Sequence, residues 1–208
     1  MREYEREAKK IEWIPKTELG KKVLAGEITD LNQVFDSKKK ILESEIIDYL
    51  LPEISEEVIE IKSTQRMTAY GRKQKMRAVV VIGNKNGFVG VGVGKAAETR
   101  GAIRVAQKKA KLNLIRVKLG SGSWEDSGDL TNSIVGNAFG KSGSTQIMIK
   151  PAPRGVGLVA GEVSRKVLTL AGIQDAWTFT KGRTRNVLNM VLATIHALNS
   201  LNEFKGAK

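Results

Sequence analysis

Between Phe88 and Gly94 the chain alternates strictly, with Val89, Val91 and Val93 on one side and Gly90, Gly92 and Gly94 on the other. A period of two is the mark of a β-strand. A strand with one face free of side chains constrains the fold strongly, because a neighbour must approach that face at backbone distance. Two neighbours fit: a helix packed on the sheet, or the phosphate backbone of a ligand. Just before it, Ala78–Ile82 is a β-branched run that reads as a buried strand. Gly83-Asn84-Lys85-Asn86-Gly87 is a turn of residues that tolerate positive φ, so the two runs form a hairpin.

A helix is expected next, roughly Ala97 to Leu112. Ile103, Ala106, Ala110 and Leu114 recur at spacings of three and four and predict its core face. Arg100, Arg104, Lys108 and Lys111 form a neighbouring stripe about 80° wide at ~100° per residue. Like charges at i,i+4 repel, so four aligned cations point to phosphates more than to a salt-bridged surface. Plain solubility is the bland alternative.

The stripe belongs to a larger block. Residues 61–120 hold 15 of the 35 Lys and Arg residues and one acid, Glu98, a net +14. Residues 1–60 carry −5, and residues 121–208 carry +4. An ordinary surface mixes both signs. A domain-sized cationic block seeks a polyanion, because each neutralised phosphate releases counterions. Aromatics are only 5% of the chain, which favours recognition of backbone charge and shape over stacking on splayed bases.

Enzymatic readings are thin. With no cysteine, disulfides, thiolate metal sites and thiol nucleophiles drop out. His196 is the only histidine, so a His-based metal site or triad is not expected, and its place in a helical pattern suggests a structural role. Gly92-Val93-Gly94-Lys95-Ala96-Ala97 fits the G-x-G-x-x-A form of a dinucleotide fingerprint. Its strand belongs to a hairpin rather than a parallel βαβ unit, and the acid expected about 20 residues on is missing. Val89 and Ala96 also break the P-loop pattern. Acid pairs such as Glu56-Glu57 and Glu43 with Asp48 read as a solvated face. No cofactor, small-molecule substrate or metal is expected. No apolar run approaches the ~20 residues of a spanning helix, and Met1–Glu7 lacks the apolar core of a signal peptide, so the expected compartment is the cytosol.

The rest of the chain divides around this block. Residues 1–57 are an acidic, helix-prone extension. Glu3–Ile11 is a charged helical stretch. Thr17 is a candidate cap for a helix ending at Gly26, Asp30 or Thr29 for one over Leu31–Phe35, and Ser44 for one that Pro52 stops, with Ile46, Ile47, Leu50 and Leu51 as its apolar face. The extension's charge suits a basic protein, or this chain's own basic block, better than phosphates. Val58–Gln65 reads as extended, and Tyr70-Gly71-Arg72-Lys73-Gln74-Lys75 as an exposed loop. After the linker-like Leu119-Gly120-Ser121-Gly122-Ser123, a second unit alternates strands (Ser144–Lys150, Ala176–Thr180) with helices around Val163–Leu170 and Val187–Leu198. The Pro151–Gly157 connection is either an anion-binding loop using its amides and Arg154 or simply a strand-to-helix turn.

Ala78–Gly83 with Gly87–Ala96 resembles the central signature of the universal small-subunit ribosomal protein S5 family. Lys150–Gly161 and Leu170–Asp175 resemble that family's C-terminal motifs, in the right order. The likeness covers about residues 58–200. Trp13–Gly20 resembles the extension of the archaeal and eukaryotic branch, and the chain's shortness favours the archaeal side.

The resemblance implies an α+β fold. Residues 58–118 would form a double-stranded-RNA-binding-like domain, a three-stranded antiparallel sheet on a helix. Residues 119–208 would form a two-layer βαβα domain, and residues 1–57 a helical N-terminal extension. It implies a non-enzymatic constituent of the small ribosomal subunit that binds 16S-type rRNA near the decoding region and mRNA entry channel. There it would touch an S4-type protein and other small-subunit proteins, could reach mRNA, and would support assembly and accuracy. The rival reading is a free double-stranded-RNA-binding regulator.

The expected RNA-binding residues are Lys62, Arg66, Tyr70, Gly71, Arg72, Lys73, Gln74, Lys75, Arg77, Lys95, Arg100, Arg104, Lys108, Lys111 and Arg154. Among them, Gly71-Arg72-Lys73 keeps the charge of the bacterial rRNA-inserting loop but lacks its second glycine. Gly155, Gly157 and Arg165, within the Val156–Arg165 segment, are the expected protein contacts.

Overall fold

The computed structural model describes residues 13–37, 39–125 and 131–203. The expected Glu3–Ile11 stretch lies outside them. The chain forms two compact units, residues 1–52 and 53–208.

The first unit holds three short helices: α1 (Glu18–Leu24), α2 (Leu31–Asp36) and α3 (Glu45–Leu50). Helices this short are marginal alone, so they depend on packing. Leu19, Val23, Val34 and Ile46 supply it, with Trp13, Ile28, Ile41 and Leu50 at the margin. Thr17 caps α1, its Oγ1 accepting the Gly20 amide at 3.1 Å. Glu43 Oε1 accepts the Lys16 and Thr17 amides at 2.9 and 2.6 Å, tying the entry of α1 to the segment before α3. Asp30 and Ser44 occupy their expected cap positions without a side-chain capping bond.

The second unit opens with a long antiparallel hairpin, β1 (Ser55–Thr68) and β2 (Gly71–Gly83), followed by β3 (Phe88–Ala96), α4 (Thr99–Leu112) and the short β4 (Leu114–Arg116). The sheet order is β1-β2-β3-β4, with one strand more than the three expected. A register shift between Val58 and Glu60 marks a bulge in β1.

The glycine face of β3 meets a helix. A Cβ built on Gly90, Gly92 or Gly94 would strike the carbonyl oxygens of Ala110, Ala106 and Ala102 respectively, so α4 lies on β3 at backbone distance. Small residues face small residues here: Ala102, Ala106 and Ala110 are fully buried, while Ile103 is only half-buried. Ala106 and Ala110 thus form the expected core face, with Ala102 in place of Ile103, and Leu114 packs from β4 rather than from the helix.

Beyond α4 come β5 (Leu119–Gly120) and β6 (Ser133–Ile134), then β7 (Ala138–Ser142), β8 (Thr145–Pro151), β9 (Leu158–Val159), α5 (Glu162–Ala171), β10 (Ala176–Lys181) and α6 (Val187–Ser200). The second large sheet has the order β7-β8-β10-β9, antiparallel except for the β9–β10 pair. Gly172, at φ 93°, ends α5, and Asn186 caps α6. Gly140 repeats the β3 device: a Cβ there would meet the Ala193 carbonyl and the Ala197 amide of α6.

Residues 58–118 and 119–208, expected as separate domains, share one core. Val79, Val81, Val89 and Val91 pack with Val167, Leu168, Val191, Leu198, Ile147 and Ile149. The valine face of the first sheet, opposite α4, is buried against the α5–α6 layer. The expected 57/58 boundary falls inside β1.

Candidate nucleic-acid interface

The Tyr70–Lys75 segment is not a loop. Gly71–Lys75 begins β2 and pairs residue for residue with Thr64–Thr68 of β1. Because β3 ends its pairing at Met76, these five residues a side project as a two-stranded ribbon, roughly 17 Å long at ~3.4 Å per residue. Only Ala69 and Tyr70 form the connection. Polar composition suggested a loop, but a ribbon with both faces in solvent needs no apolar alternation. Tyr70 stands at the tip, fully exposed, and Gly71 turns the chain at φ 116°.

Register assigns the side chains to faces. Lys62 pairs across to Arg77 and Arg77 to Lys95; Thr64 opposes Lys75, and Arg66 opposes Lys73. These residues share the face of Val79 and Val81. Arg72 and Gln74 fall on the other face, that of Ala78 and α4. Like charges directly opposite each other destabilise a sheet unless a counter-charge intervenes. For one row it does: Glu60 bonds Arg77 at 3.2 Å and Lys62 at 2.5 Å. Lys62 and Arg77 are thus partly neutralised within the chain. Glu60 lies one residue outside the 61–120 block, so the net +14 of that block does not include it.

Further out no carboxylate intervenes. Arg66, Lys73, Lys75 and Lys95 line an open hollow with Thr64, Gln65, Met67 and Thr68. Three cations on one face of the ribbon, with Lys95 of β3 on the same side, concentrate positive charge there beside the Thr64 and Thr68 hydroxyls.

The α4 stripe is a second surface. Arg100, Arg104 and Lys108 are exposed, and Lys111 is half-buried. Lys109, also exposed, adds a cation outside the expected stripe. Since α4 covers the glycine face, its cations leave the opposite side of the sheet from Lys75, Arg77 and Lys95. The basic block therefore has two aspects, not one. Glu56, bonded to Gln107, and Glu57, bonded to Lys166 at 3.1 Å, hold the base of β1 against α4 and α5 in turn.

The Pro151–Gly157 loop already has its anion. Asp175, buried, accepts the amides of Gly157 and Gly155 on Oδ1 at 2.7 and 3.1 Å, while Asn132 Nδ2 donates to Oδ2 at 2.9 Å. Burial alone would raise its pKa. The Asn132 and backbone hydrogen bonds, aided by the charge of Arg154, outweigh that and hold the carboxyl below the usual aspartate range. Arg154, Gly155 and Gly157 are thus engaged around an internal carboxylate, although Arg154 and Gly155 remain exposed. Arg165 is exposed on α5. His196 is exposed on α6, its Nδ1 3.0 Å from the Lys141 carbonyl.

Among the described residues, no group of His, Cys, Asp or Glu side chains is arranged to hold a metal ion. Gly92 and Gly94 sit in an antiparallel ladder under α4, so the fingerprint they spell is a packing motif. Comparison with known proteins decides the family. The description "Ribosomal protein S5, N-terminal domain" matches residues 54–118, and "Ribosomal protein S5, C-terminal domain" matches residues 140–207. The chain belongs to the ribosomal protein S5 family.

Relatives in this family cover nearly the whole chain. It is 53% identical to the small ribosomal subunit protein uS5 of Methanocaldococcus jannaschii over 191 residues, 92% of this chain and 88% of the relative. The uS5 protein of Methanoregula boonei is 48% identical, covering 93% and 94%. That of Hyperthermus butylicus is 49% identical, covering 93% and 91%. Membership makes the chain a structural ribosomal protein of archaeal type rather than an enzyme, with the cytoplasmic ribosome as its location. Among the described residues, no helix is long and apolar enough to cross a membrane.

Proposed function

We propose that this chain binds 16S-type rRNA within the small ribosomal subunit, near the decoding region and mRNA entry channel, through the β1–β2 ribbon and the exposed face of α4. In this reading the Val156–Arg165 segment faces an S4-type neighbour, and the chain supports subunit assembly and accuracy. The observation that carries the RNA assignment is the acid-free hollow between Arg66, Lys73, Lys75 and Lys95. Cations held that close repel one another and gain most from a shared phosphate backbone. Tyr70 at the tip offers one stacking surface, and the ribbon is narrow enough to enter a groove.

The test is cosedimentation. The tagged chain stays with small-subunit particles through a high-salt wash. A free double-stranded-RNA-binding regulator would be stripped off, and that result would overturn the proposal.

A further inference from the structure

The C-terminal half holds a cationic corner apart from the ribbon and α4. Lys181, Arg183 and Arg185 fall within five residues, at the end of β10 and on the loop that leads into α6. All three are exposed, as is Lys141 of β7. Register places Lys141 and Lys181 on either side of Gln146, two strand spacings or about 10 Å apart. The net +4 of residues 121–208 hides this corner, because the acids of that stretch lie elsewhere. No Asp or Glu occurs in residues 130–161 or 176–202. An ordinary solvated surface mixes both signs, and this one does not.

The loop is held from behind. A Cβ on Gly182 would strike the Ser144 carbonyl oxygen, so the loop lies on the β7–β8 turn at backbone distance. Thr145, itself buried, donates its hydroxyl to the Arg183 carbonyl at 2.9 Å. The Thr184 and Asn186 amides donate to the carbonyls of Gly182 and Arg183 at 3.0 and 3.3 Å. These bonds use the loop's backbone and leave its charged side chains in solvent. A loop fixed in this way presents its cations without the ordering cost of a flexible basic tail. Asn186 caps α6 with its own side chain, so the corner is made by the loop and not by the helix end.

The residue types narrow the partner. A protein contact is built on an apolar centre, and residues 141–145 and 181–186 contain no Val, Leu, Ile, Met or aromatic residue. The same lack of aromatics leaves unpaired bases nothing to stack on. What remains is recognition of charge along a backbone. Guanidinium forks match phosphate oxygens two at a time, and the hydroxyls of Ser144 and Thr184 stand among them.

We infer that Lys181, Arg183 and Arg185, with Lys141 beside them, grip a further stretch of RNA phosphate backbone, so that both halves of the chain hold RNA. The inference deepens the RNA-binding reading above and rests on it. It adds a contact that neither the ribbon nor α4 supplies.

Directed hydroxyl-radical probing in assembled subunits tests it, since a chain without cysteine takes a single tether. The full chain carries an iron chelate on Thr184→Cys in the loop or on Ala69→Cys at the ribbon tip. Cosedimentation with small subunits is checked first. If it fails, the ribosomal reading fails and the inference falls with it, before any probing. The expected result is rRNA cleavage from position 184 at nucleotides other than those cut from position 69. Lys181→Gln with Arg183→Gln and Arg185→Gln keeps the loop's backbone bonds. It should open the 184 set of nucleotides to free hydroxyl radicals and leave the 69 set protected. On whole small-subunit rRNA the same triple variant should flatten the salt slope by about two to three units, in addition to any loss from the ribbon. No cleavage from 184 while 69 cuts overturns the inference, as does protection of the 184 set that survives the triple variant. So does a carbodiimide crosslink joining Lys181 to a carboxylate of another ribosomal protein, which would make the corner a protein contact.

Discussion

Glu60 Oε2 lies 3.2 Å from a guanidinium nitrogen of Arg77, and that ion pair divides the basic ribbon into a neutralised base and a cationic tip. Only 11% of the Glu60 side chain is exposed, so this acid is built into the sheet. Replacing it as Glu60→Gln leaves Lys62 and Arg77 without their counter-charge. RNA affinity should rise at low salt, and the salt dependence should steepen by about one to two units of slope. Filter binding across a salt series checks this. An unchanged slope would mean that neither cation reaches a phosphate.

The two basic aspects should behave as independent contributors. Lys73→Gln with Lys75→Gln acts on the ribbon face, and Arg104→Gln with Lys108→Gln acts on α4. Each pair should reduce the salt slope by about two, and the four together by about four. If the α4 pair changes nothing, that stripe is a solvated surface.

Gly92→Ala tests the packing of α4. The new Cβ would meet the Ala106 carbonyl and the Ala110 amide, backbone atoms that have no room to yield. Urea unfolding should show a loss of about 3 kcal/mol. Gly161→Ala, where a Cβ meets nothing within 4 Å, serves as the neutral comparison.

Asp175→Ala removes the acceptor for Gly155, Gly157 and Asn132 and should cost on the order of 2–3 kcal/mol. The folded-state pKa is depressed, so the carboxylate's contribution is full above the unfolded aspartate value of about 3.9. It is lost as pH falls through the lower folded value. The stability gap between parent and variant should therefore be flat near neutrality and close only below about pH 4. A gap that is constant down to low pH would show that Asp175 acts through shape alone.

Much of this fold was legible in the sequence, and the failures have physical causes. The valine–glycine alternation of 88–94 predicted the strand, and its glycines announced a close neighbour, which turned out to be α4. Thr17 marked a helix start through local chemistry that packing did not override. The ribbon of 64–75 was hidden because cross-strand pairing between polar residues leaves no hydrophobic period. β7 was missed because Ala138-Phe139-Gly140-Lys141-Ser142 exposes its phenylalanine and buries a glycine under α6. The shared core of residues 53–208 depends on contacts distant in sequence, such as Gly83 against the Leu170 carbonyl, which local reading does not reveal. At the Pro151–Gly157 loop both an anion and a turn were open, and the anion is Asp175, some 20 residues away in sequence. The cations of the candidate site were legible from charge alone. Their division between two faces was not, because it follows from strand register.

The salt dependence of RNA binding by the full chain tests the central claim most directly. With about six phosphates neutralised by the ribbon and α4, log affinity for a structured small-subunit rRNA fragment should fall against log salt with a slope near −5. Neutralising Arg66, Lys73, Lys75 and Lys95 together should bring it to about −2. A parent slope close to zero, or a slope that ignores those four residues, would contradict the account.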